Sequence, residues 1–273
     1  MLSPDEVRRL CEIARAAGAA ILERYEGPIA VTRKSDSSPL TEADRAAHAV
    51  IVEGLGQAFP GIPVLSEEGR GIPYPERRAW ERFWLVDPLD GTKEFIRRNG
   101  EFTVNIALVE GGDPVAGVIY VPARRVLYGG IRGKGAWREE APGEALPIRS
   151  RAPDPEAGLT VVVSRSHPSP ETEAYLEGLR VARRIPAGSS LKFCAVAEGR
   201  ADLYPRLGPT MEWDTAAGQA VLEAAGGRVE DLEGRPLRYN KPDLRNPHFV
   251  ARGRLETRDW KPETGKSLKI SLR

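Results

Sequence analysis

Several features that define common protein classes are missing from this sequence. The 273 residues include two cysteines, Cys11 and Cys194, and three histidines. Two cysteines do not make a disulfide scaffold, and they are typical of buried thiols in a reducing compartment. No stretch approaches the roughly 20 consecutive apolar residues of a membrane span. The N-terminus, MLSPDEVRRL, has no basic region followed by an apolar one, so we expect no signal peptide and a cytoplasmic protein without membrane attachment.

The charge balance and the absence of several motifs narrow the function further. Lys plus Arg total 40 and Asp plus Glu total 39, so no overall field would recruit duplex nucleic acid or an acidic membrane. The chain has no G-x-x-x-x-G-K-[ST] loop, no strand-linked G-x-G-x-x-G, no G-x-S-x-G nucleophile elbow and no H-E-x-x-H zinc motif. An anionic ligand would therefore have to be bound by a local arrangement of residues.

The hydrophobic pattern predicts two halves that join near residue 150. In residues 1–150, two helices, about Pro4 to Tyr25 and Thr41 to Phe59, precede short strands and an antiparallel meander of FTVNIALVE, PVAGVIYVP and RVLYGGI. In residues 151–251, strands and helices alternate, which is typical of an α/β layer, and RRIPAG is a short connection. Residues 252–273 are polar and basic, and they predict a surface tail.

Two aspartates follow a buried strand in WLVDPLDGTKEF, residues 84–95. Asp87 comes directly after FWLV, so the strand should deliver it at its carboxyl end, and Gly91 permits a sharp turn after Asp90. Two carboxylates with the Leu89 carbonyl between them are hard oxygen ligands suited to Mg²⁺. The alternatives are an Asp-Gly hairpin turn and a calcium EF-hand loop, although the acids fall at the wrong spacing for the latter.

Three further acidic positions have both a structural and a functional interpretation. Glu67 precedes Glu68 in SEEG, where the pair could simply form a charged turn after a strand. Asp44 completes the capping-box pattern Thr41-x-x-Asp44. Asp214 lies where a helix of small residues begins, as an N-cap residue would, and a helix N-terminus is also a site for phosphate. The local pattern leaves both interpretations open.

Together, the stretches SEE, VDPLDGTKEF and WDTAAG resemble the lithium-sensitive, magnesium-dependent phosphomonoesterase superfamily of inositol monophosphatases and fructose bisphosphatases. The stretches KSDSSPLTEAD, LDGTKEFIRRNGEFTVNIALVE, SRSH and GSSLKFCAVAEGRADLYPRLGPT narrow the resemblance to bacterial 3′(2′),5′-bisphosphate nucleotidases of the CysQ type. Inositol monophosphatases usually carry a different run, commonly with Asn-Phe, where this chain has Lys93-Glu94-Phe95. The resemblance runs from about Arg33 to Phe249, and the tail from Arg252 departs from the family pattern.

The resemblance implies a fold and a metal centre. The fold is a five-layer αβαβα sandwich with α+β and α/β halves, in keeping with the predicted meander and α/β layer. Two Mg²⁺ ions are implied, and a third, weaker one is plausible near Glu67 and Asp44. The implied ligands of the first ion are Glu67, Asp87 and the Leu89 carbonyl, and those of the second are Asp87, Asp90 and Asp214.

The resemblance also implies how substrate would bind. The departing phosphate would contact Thr92 and the backbone from Leu89 through Asp90 and Gly91 to Thr92, beside the metal-binding Glu67 and Asp214. The nucleotide and its other phosphate would be bound by a second group of residues, namely His167, Ser189, Lys192 and Arg206. For Lys192 and Arg206 alone, a solvated surface is the structural alternative.

The implied reaction is hydrolysis of a phosphate monoester. A water positioned by Glu67, and by Thr92 paired with Asp44, would attack phosphorus in line, with no phosphoenzyme. The implied substrate is 3′-phosphoadenosine 5′-phosphate (PAP), which gives AMP and phosphate, and its sulfated precursor (PAPS) is a further candidate. Three alternatives remain: an inositol or sugar phosphatase on the same scaffold, an enzyme that trims very short oligoribonucleotides, and a non-catalytic metal or nucleotide sensor. Family members are often monomers or homodimers.

Overall fold

The structure contains seven α-helices and one 3₁₀ turn within the residues that it describes. The computed structural model describes residues 1–27, 31–33, 39–140, 143–154, 156–166 and 169–254. The helices within these ranges are α1 (Pro4–Tyr25), α2 (Glu42–Ala58), α3 (Tyr74–Arg77), α4 (Thr92–Ile96), α5 (Pro170–Glu177), α6 (Leu191–Ala197) and α7 (Glu212–Ala224), with a 3₁₀ turn at Pro122–Arg124.

The strands of the described residues form three sheets. The first is a small antiparallel pair, β1 (Val31–Arg33) and β2 (Pro39–Thr41). The second has seven strands in chain order: β3 (Val64–Ser66), β4 (Arg82–Asp90), β5 (Thr103–Glu110), β6 (Asp113–Val121), β7 (Val126–Ile131), β8 (Gly135–Glu140) and β9 (Ala145–Ile148). The third has the order β11-β10-β12-β14-β13, built from β10 (Leu159–Ser164), β11 (Val181–Ala187), β12 (Leu203–Arg206), β13 (Arg228–Asp231) and β14 (Phe249–Arg252).

The helices and the two larger sheets form five layers. Helices α1 and α2 bury their apolar faces against one side of the seven-stranded sheet. Helices α6 and α7 fill the space between the two larger sheets, where residues of both halves share one core. Helix α5 contributes Leu176 to a small cluster that includes Leu159 and Val161 of β10. The predicted five-layer αβαβα sandwich is confirmed.

Helices α1 and α2 begin where the sequence places capping residues. Ser3 and Glu6 exchange hydrogen bonds between side chain and backbone at the start of α1, as a capping box does. Thr41 and Asp44 do the same at the start of α2. The capping box predicted at Asp44 therefore exists, and it orients this carboxylate at the edge of the cleft described below.

Helix α7 lies very close to the large sheet because the facing strand positions are small. A Cβ atom added at Gly117 in β6 would lie 2.7 Å from the Ala217 carbonyl oxygen of α7. Along α7, an added Cβ at Gly218 would lie 2.3 Å from the ring of Phe193 in α6. This close packing joins the helix that carries Asp214 to both halves of the molecule.

Several predicted elements differ from those observed. RRIPAG, predicted as a connection, belongs to β11, a parallel edge strand, where its proline and arginines are tolerated. Strands β2, β8, β9 and β14 and the short helix α3 were not predicted. The prediction that a surface tail begins at Arg252 is wrong, because Arg252 is the last residue of β14, which pairs with β12 and β13. Residues 255–273 lie outside the described residues. The sheets change between β9 and β10, near residue 150, and the domain assignment itself stays a prediction.

Two structural findings concern membrane-spanning helices and the two thiols. No helix among the described residues is both long enough and apolar enough to cross a membrane. Cys11 and Cys194 are both buried and unpaired. Burial raises the pKa of the Cys11 thiol to about 11, and it also raises the pKa of Cys194, so both thiols are held in their neutral form.

Candidate active site

The site is built first from two parallel strand ends. Strands β3 and β4 pair in parallel with Ser66 beside Val86, and the Glu67 N–H continues the ladder to the Val86 carbonyl at 3.1 Å. Glu67 and Asp87 are the next residues on the two strands, so their carboxylates emerge at the same sheet edge. Strand β4 runs on to Asp90, so Asp87 lies near the carboxyl end of its strand and not at its last residue.

The pairing of β4 with β5 becomes irregular after Asp87, and the backbone turns at Gly91. The register between β4 and β5 shifts between Asp87 and Asp90. Gly91 adopts a left-handed conformation with φ of 90°, which favours glycine, and α4 begins at the next residue. Because α4 and the segment up to residue 102 separate β4 from β5, the hairpin interpretation of Asp90-Gly91 is wrong.

Asp90 is held by three donors, two from β5 and one from the start of α6. Its Oδ2 atom accepts hydrogen bonds from the Ser190 N–H at 2.6 Å, the Asn105 side-chain amide at 3.2 Å and the Thr103 hydroxyl at 3.5 Å. Burial raises the pKa of Asp90, whereas nearby Lys192 and the donated hydrogen bonds lower it. Asp90 is therefore fixed in orientation before any ligand binds.

Asp214 enters the same region from α7. It is the third residue of the helix and not its N-cap, which is Met211, so the N-cap interpretation of Asp214 is wrong. Its Oδ2 atom accepts a hydrogen bond from the Met211 N–H at 2.8 Å. Burial, followed by the negative charges of Asp90 and Glu67, raises the pKa of Asp214 to about 8.

The four carboxylates repel one another. Burial, and then the charges of Glu67, Asp90 and Asp214, raise the pKa of Asp87 well above its ordinary value, and Glu67 also shares a hydrogen bond with Asp87. A bound cation would relieve this repulsion. Every candidate donor is a carboxylate or carbonyl oxygen, which fits a hard cation such as Mg²⁺.

The carboxylates share one region without a preformed cage. Within the described ranges, no group of three or more His, Cys, Asp or Glu side chains is already arranged so that it could hold a metal ion. The Leu89 carbonyl lies close by, since the Thr92 hydroxyl approaches it at 3.5 Å. Metal ligation by Glu67, Asp87, Leu89, Asp90 and Asp214 thus stays a prediction.

Asp44 and Thr92 form a hydrogen-bonded pair beside the acids. Thr41 donates to Asp44 Oδ2 from its N–H at 2.7 Å and from its hydroxyl at 2.6 Å. The Thr92 hydroxyl donates to the other oxygen, Oδ1, at 3.4 Å. Asp44 is 2% exposed, whereas Thr92 lines the cleft. The structure therefore brings together the pair that the family resemblance implied.

The two cations that the resemblance implied both line a cleft of about 260 Å³. Lys192 in α6 is buried, and its Nζ donates to the Ser189 carbonyl at 2.5 Å. Burial lowers the pKa of Lys192 to about 8, against the opposing effect of Asp90. Arg206 ends β12 and donates to the Pro209 carbonyl at 3.0 Å, while its buried Nε has no partner among the described residues. The solvated-surface interpretation is therefore wrong for Lys192, and both cations line the cleft.

Of the remaining residues predicted to bind substrate, two line the cleft and one lies outside the described residues. Ser189 lines the cleft with a left-handed backbone at φ of 41°, and its hydroxyl has no partner within the described part of the chain. Gly91 also lines the cleft. His167 lies outside the described residues, so its predicted role stays untested.

Sequence reasoning missed several residues that shape the site. Asn105 and Ser190 bind Asp90 and also each other, at 2.8 Å between Ser190 Oγ and Asn105 Oδ1. Asn105 could have been noticed, because it interrupts the apolar run of FTVNIALVE. Glu94 lines the cleft although it is 3% exposed. Local sequence offers no comparable signal for Glu101, whose partners are distant in the chain.

Glu101 ties together segments that surround the cleft. Its Oε2 atom accepts hydrogen bonds from the Arg165 side chain at 2.7 Å and from the Gly188 N–H at 2.8 Å. Arg124 approaches its other oxygen at 3.4 Å. Gly188 begins the run that continues through Ser189 to Ser190, which donates to Asp90. Glu101 therefore helps to position the loop that carries part of the site.

The fold agrees with the comparison to known proteins. A family model described as the inositol monophosphatase family matches residues 3–267, and the chain belongs to this family. The match extends past Arg252, so the expectation that the whole tail departs from the family pattern is wrong.

Particular relatives within the family carry a more specific name. The 3′(2′),5′-bisphosphate nucleotidase CysQ of Escherichia coli is 52% identical over 244 residues, which are 88% of this chain and 97% of that protein. The CysQ of Haemophilus influenzae is 35% identical over 251 residues, or 91% and 93% of the two chains. The crystal structure of CysQ from Bacteroides thetaiotaomicron superimposes with a TM-score of 0.79 at 46% identity, covering 91% of this chain and 97% of that one. The predicted resemblance to the CysQ type is confirmed.

Proposed function

We propose that this protein is a 3′(2′),5′-bisphosphate nucleotidase that hydrolyses the 3′-phosphate of PAP to give AMP and phosphate. The observation that carries the proposal is one cleft that is lined both by acidic side chains, including Asp90 and Asp214, and by the cations Lys192 and Arg206. The identity to the CysQ proteins over nearly their whole length supports the same activity. PAPS, which carries the same 3′-phosphate, is a second substrate of the proposed enzyme.

The proposed cofactor is Mg²⁺, with two ions in each site and a third, weaker one near Glu67 and Asp44. The proposed ligands are the oxygens of Glu67, Asp87, Leu89, Asp90 and Asp214. Magnesium bound there would supply positive charge that lowers the pKa of a water and stabilises charge on the leaving oxygen. The fit rests on the all-oxygen donor set and on the mutual repulsion that raises the pKa of Asp87 and Asp214.

Asp44 and Thr92 would orient the attacking water. Two donors from Thr41 fix Asp44 Oδ2, and the Thr92 hydroxyl directs its proton to Asp44 Oδ1. The lone pairs of the Thr92 oxygen are then available in the cleft to accept a proton of the water. Glu67 lines the same cleft and is the second acceptor in the proposal. The attack is in line, and the chain needs no phosphorylated side chain.

The cations would hold the part of the substrate that does not react. Lys192 and Arg206 line the cleft together with Ser189, whose hydroxyl would donate to the nucleotide. With a pKa of about 8, Lys192 is mostly protonated at neutral pH and can attract the second phosphate. His167 completes the proposed nucleotide-binding set. An inositol monophosphate has no second phosphate that these cations could bind.

A comparison of three substrates tests the proposal. Phosphate release is measured with Mg²⁺ for PAP, inositol 1-phosphate and fructose 1,6-bisphosphate at equal low concentration. We expect PAP to be preferred by ~10³-fold, which is ~4 kcal/mol of transition-state discrimination. Lys192→Met and Arg206→Met should reduce this preference, whereas the exposed control Arg184→Met should not.

Two results would contradict the proposal. A preference for inositol 1-phosphate or the sugar bisphosphate would make the nucleotide pocket wrong while leaving the metal centre in place. Binding of PAP with Mg²⁺ but without phosphate release would identify a sensor. We further propose a cytoplasmic location, which the two buried, unpaired cysteines support, and a monomer or homodimer.

A further inference from the structure

A buried carboxylate in the cleft has no part in the proposed chemistry. Glu94 in α4 is 3% exposed, and the little surface it has faces the cleft. No hydrogen bond or ion pair joins its carboxylate to another residue that the structure describes. A buried charge without partners is costly, and it persists where a ligand supplies the missing donor.

Glu94 packs closely against the loop that follows β11. A Cβ atom added at Gly188 would lie 2.7 Å from Glu94 Cγ, so the loop passes directly over the side chain. One added at Gly91 would lie 3.3 Å from Glu94 Oε2. The carboxylate is thus held next to the turn that follows Asp90.

The charge of Glu94 restricts what can bind beside it. Lys192 and Arg165 attract it over a distance without pairing with it, whereas Asp90 repels it. A phosphate oxygen placed against Glu94 would be repelled, and a neutral O–H group would donate to it. This corner of an anion-binding cleft therefore suits a hydroxyl group of the substrate.

We infer that Glu94 is a specificity residue that accepts a hydrogen bond from the hydroxyl on the carbon next to the one bearing the reacting phosphate. This inference rests on the proposed function. In that proposal Thr92, in the first turn of α4, orients the water that attacks the phosphate, and Glu94 of the same helix lines the same cleft. In PAP the hydroxyl adjacent to the 3′-phosphate is the ribose 2′-hydroxyl.

A cycle of two substrates and two enzymes tests the inference. The kcat/KM of wild type and of Glu94→Gln is measured on PAP and on its 2′-deoxy analogue, with Glu12→Gln on the surface of α1 as the control. For wild type we expect the deoxy analogue to be about 10- to 100-fold worse, the range for losing a hydrogen bond to a charged group. Glu94→Gln should lose most of this discrimination, because the substitution should lower kcat/KM on PAP and leave kcat/KM on the deoxy analogue nearly unchanged.

The outcomes separate this inference from the proposed function. If wild type releases no phosphate from PAP, the proposed function itself fails. If wild type is active and Glu94→Gln lowers kcat/KM equally on both substrates, the inference is wrong and the enzyme assignment stands. A rise in the Mg²⁺ concentration needed for half-maximal activity, with discrimination unchanged, would make Glu94 a metal-site residue and also overturn the inference.

Discussion

At the scale of single residues, Asp90 gives the most specific prediction for the site. It is oriented by Ser190, Asn105 and Thr103 and lies in the proposed metal centre. We expect Asp90→Asn to abolish turnover, because the amide keeps the shape and loses the charge. Far-UV circular dichroism and the melting temperature should stay near wild type. Near-normal phosphate release would remove Asp90 from the metal site.

Asp214 predicts a pH dependence of the metal-free protein. An unfolded aspartate ionises near its ordinary value of 3.8, whereas the pKa of folded Asp214 is about 8. The stability associated with the protonated side chain is therefore fully present below 3.8, falls as pH rises, and is lost above about 8.

The corresponding test uses chelator-treated protein. Asp214→Asn should raise the melting temperature at pH 8.5, where wild type holds a repelled charge, and should change it much less at pH 4.5. Asp243→Asn, at an exposed position, is the control. An equal change at both pH values would show that Asp214 titrates normally and that its neighbours do not repel it.

Among the elements, Glu101 joins the start of β5 to the ends of β10 and β11. Glu101→Gln should lower kcat/KM by about 10- to 100-fold, since hydrogen bonds to charged groups are lost and the loop with Ser190 loosens. Most of the loss should fall on kcat, because Ser190 orients Asp90. Glu110→Gln, which breaks an exposed ion pair between the end of β5 and Arg82 of β4, is the control.

A double-mutant cycle checks that Glu101 acts through Arg165. If the two side chains work as one unit, Arg165→Met should cost little in the Glu101→Gln background. Simple additivity of the two losses in kcat/KM would contradict a shared positioning role.

The contact between α7 and the large sheet predicts an effect on stability. Gly117→Ala places a methyl group against helix backbone, so we expect a loss of about 1–3 kcal/mol in the free energy of unfolding. Gly56→Ala in α2 meets nothing within 4 Å and should be neutral or stabilise by about 0.4–1 kcal/mol. Urea denaturation measures both. Equal stability of the two variants would mean that α7 has room to move away from β6.

For the molecule as a whole, the shared core between the two larger sheets predicts one cooperative unfolding transition. The proposed metal ligands come from both halves, with Asp90 on β4 and Asp214 on α7, so Mg²⁺ should raise the melting temperature of that single transition. Calorimetry with Mg²⁺ and with chelator measures the rise in melting temperature, and Asp90→Asn should make this rise smaller. Two separate transitions would show that the halves unfold independently.

Much of the site could be predicted because its signals are local. The capping boxes at Ser3 and Thr41 need neighbours only three residues away, and the strand that carries Asp87 is visible as an apolar run. The family stretches then pointed to Lys192 and Arg206, which the structure brings to the cleft. Strand β11 was missed because an exposed edge strand needs neither alternation nor the absence of proline.

The sequence, read together with its family resemblance, was enough for the class of protein, the sheet-and-helix layers and half of the residues that line the cleft. Only the folded chain decides which distant groups meet: Glu101 with Gly188, Ser190 with Asp90, and the unpartnered Glu94 against the loop that follows β11. Such contacts depend on the order of strands within the sheets and on how closely α6 and α7 pack between them. Local preferences act over a few residues, and they carry no record of partners 87 or 100 positions away.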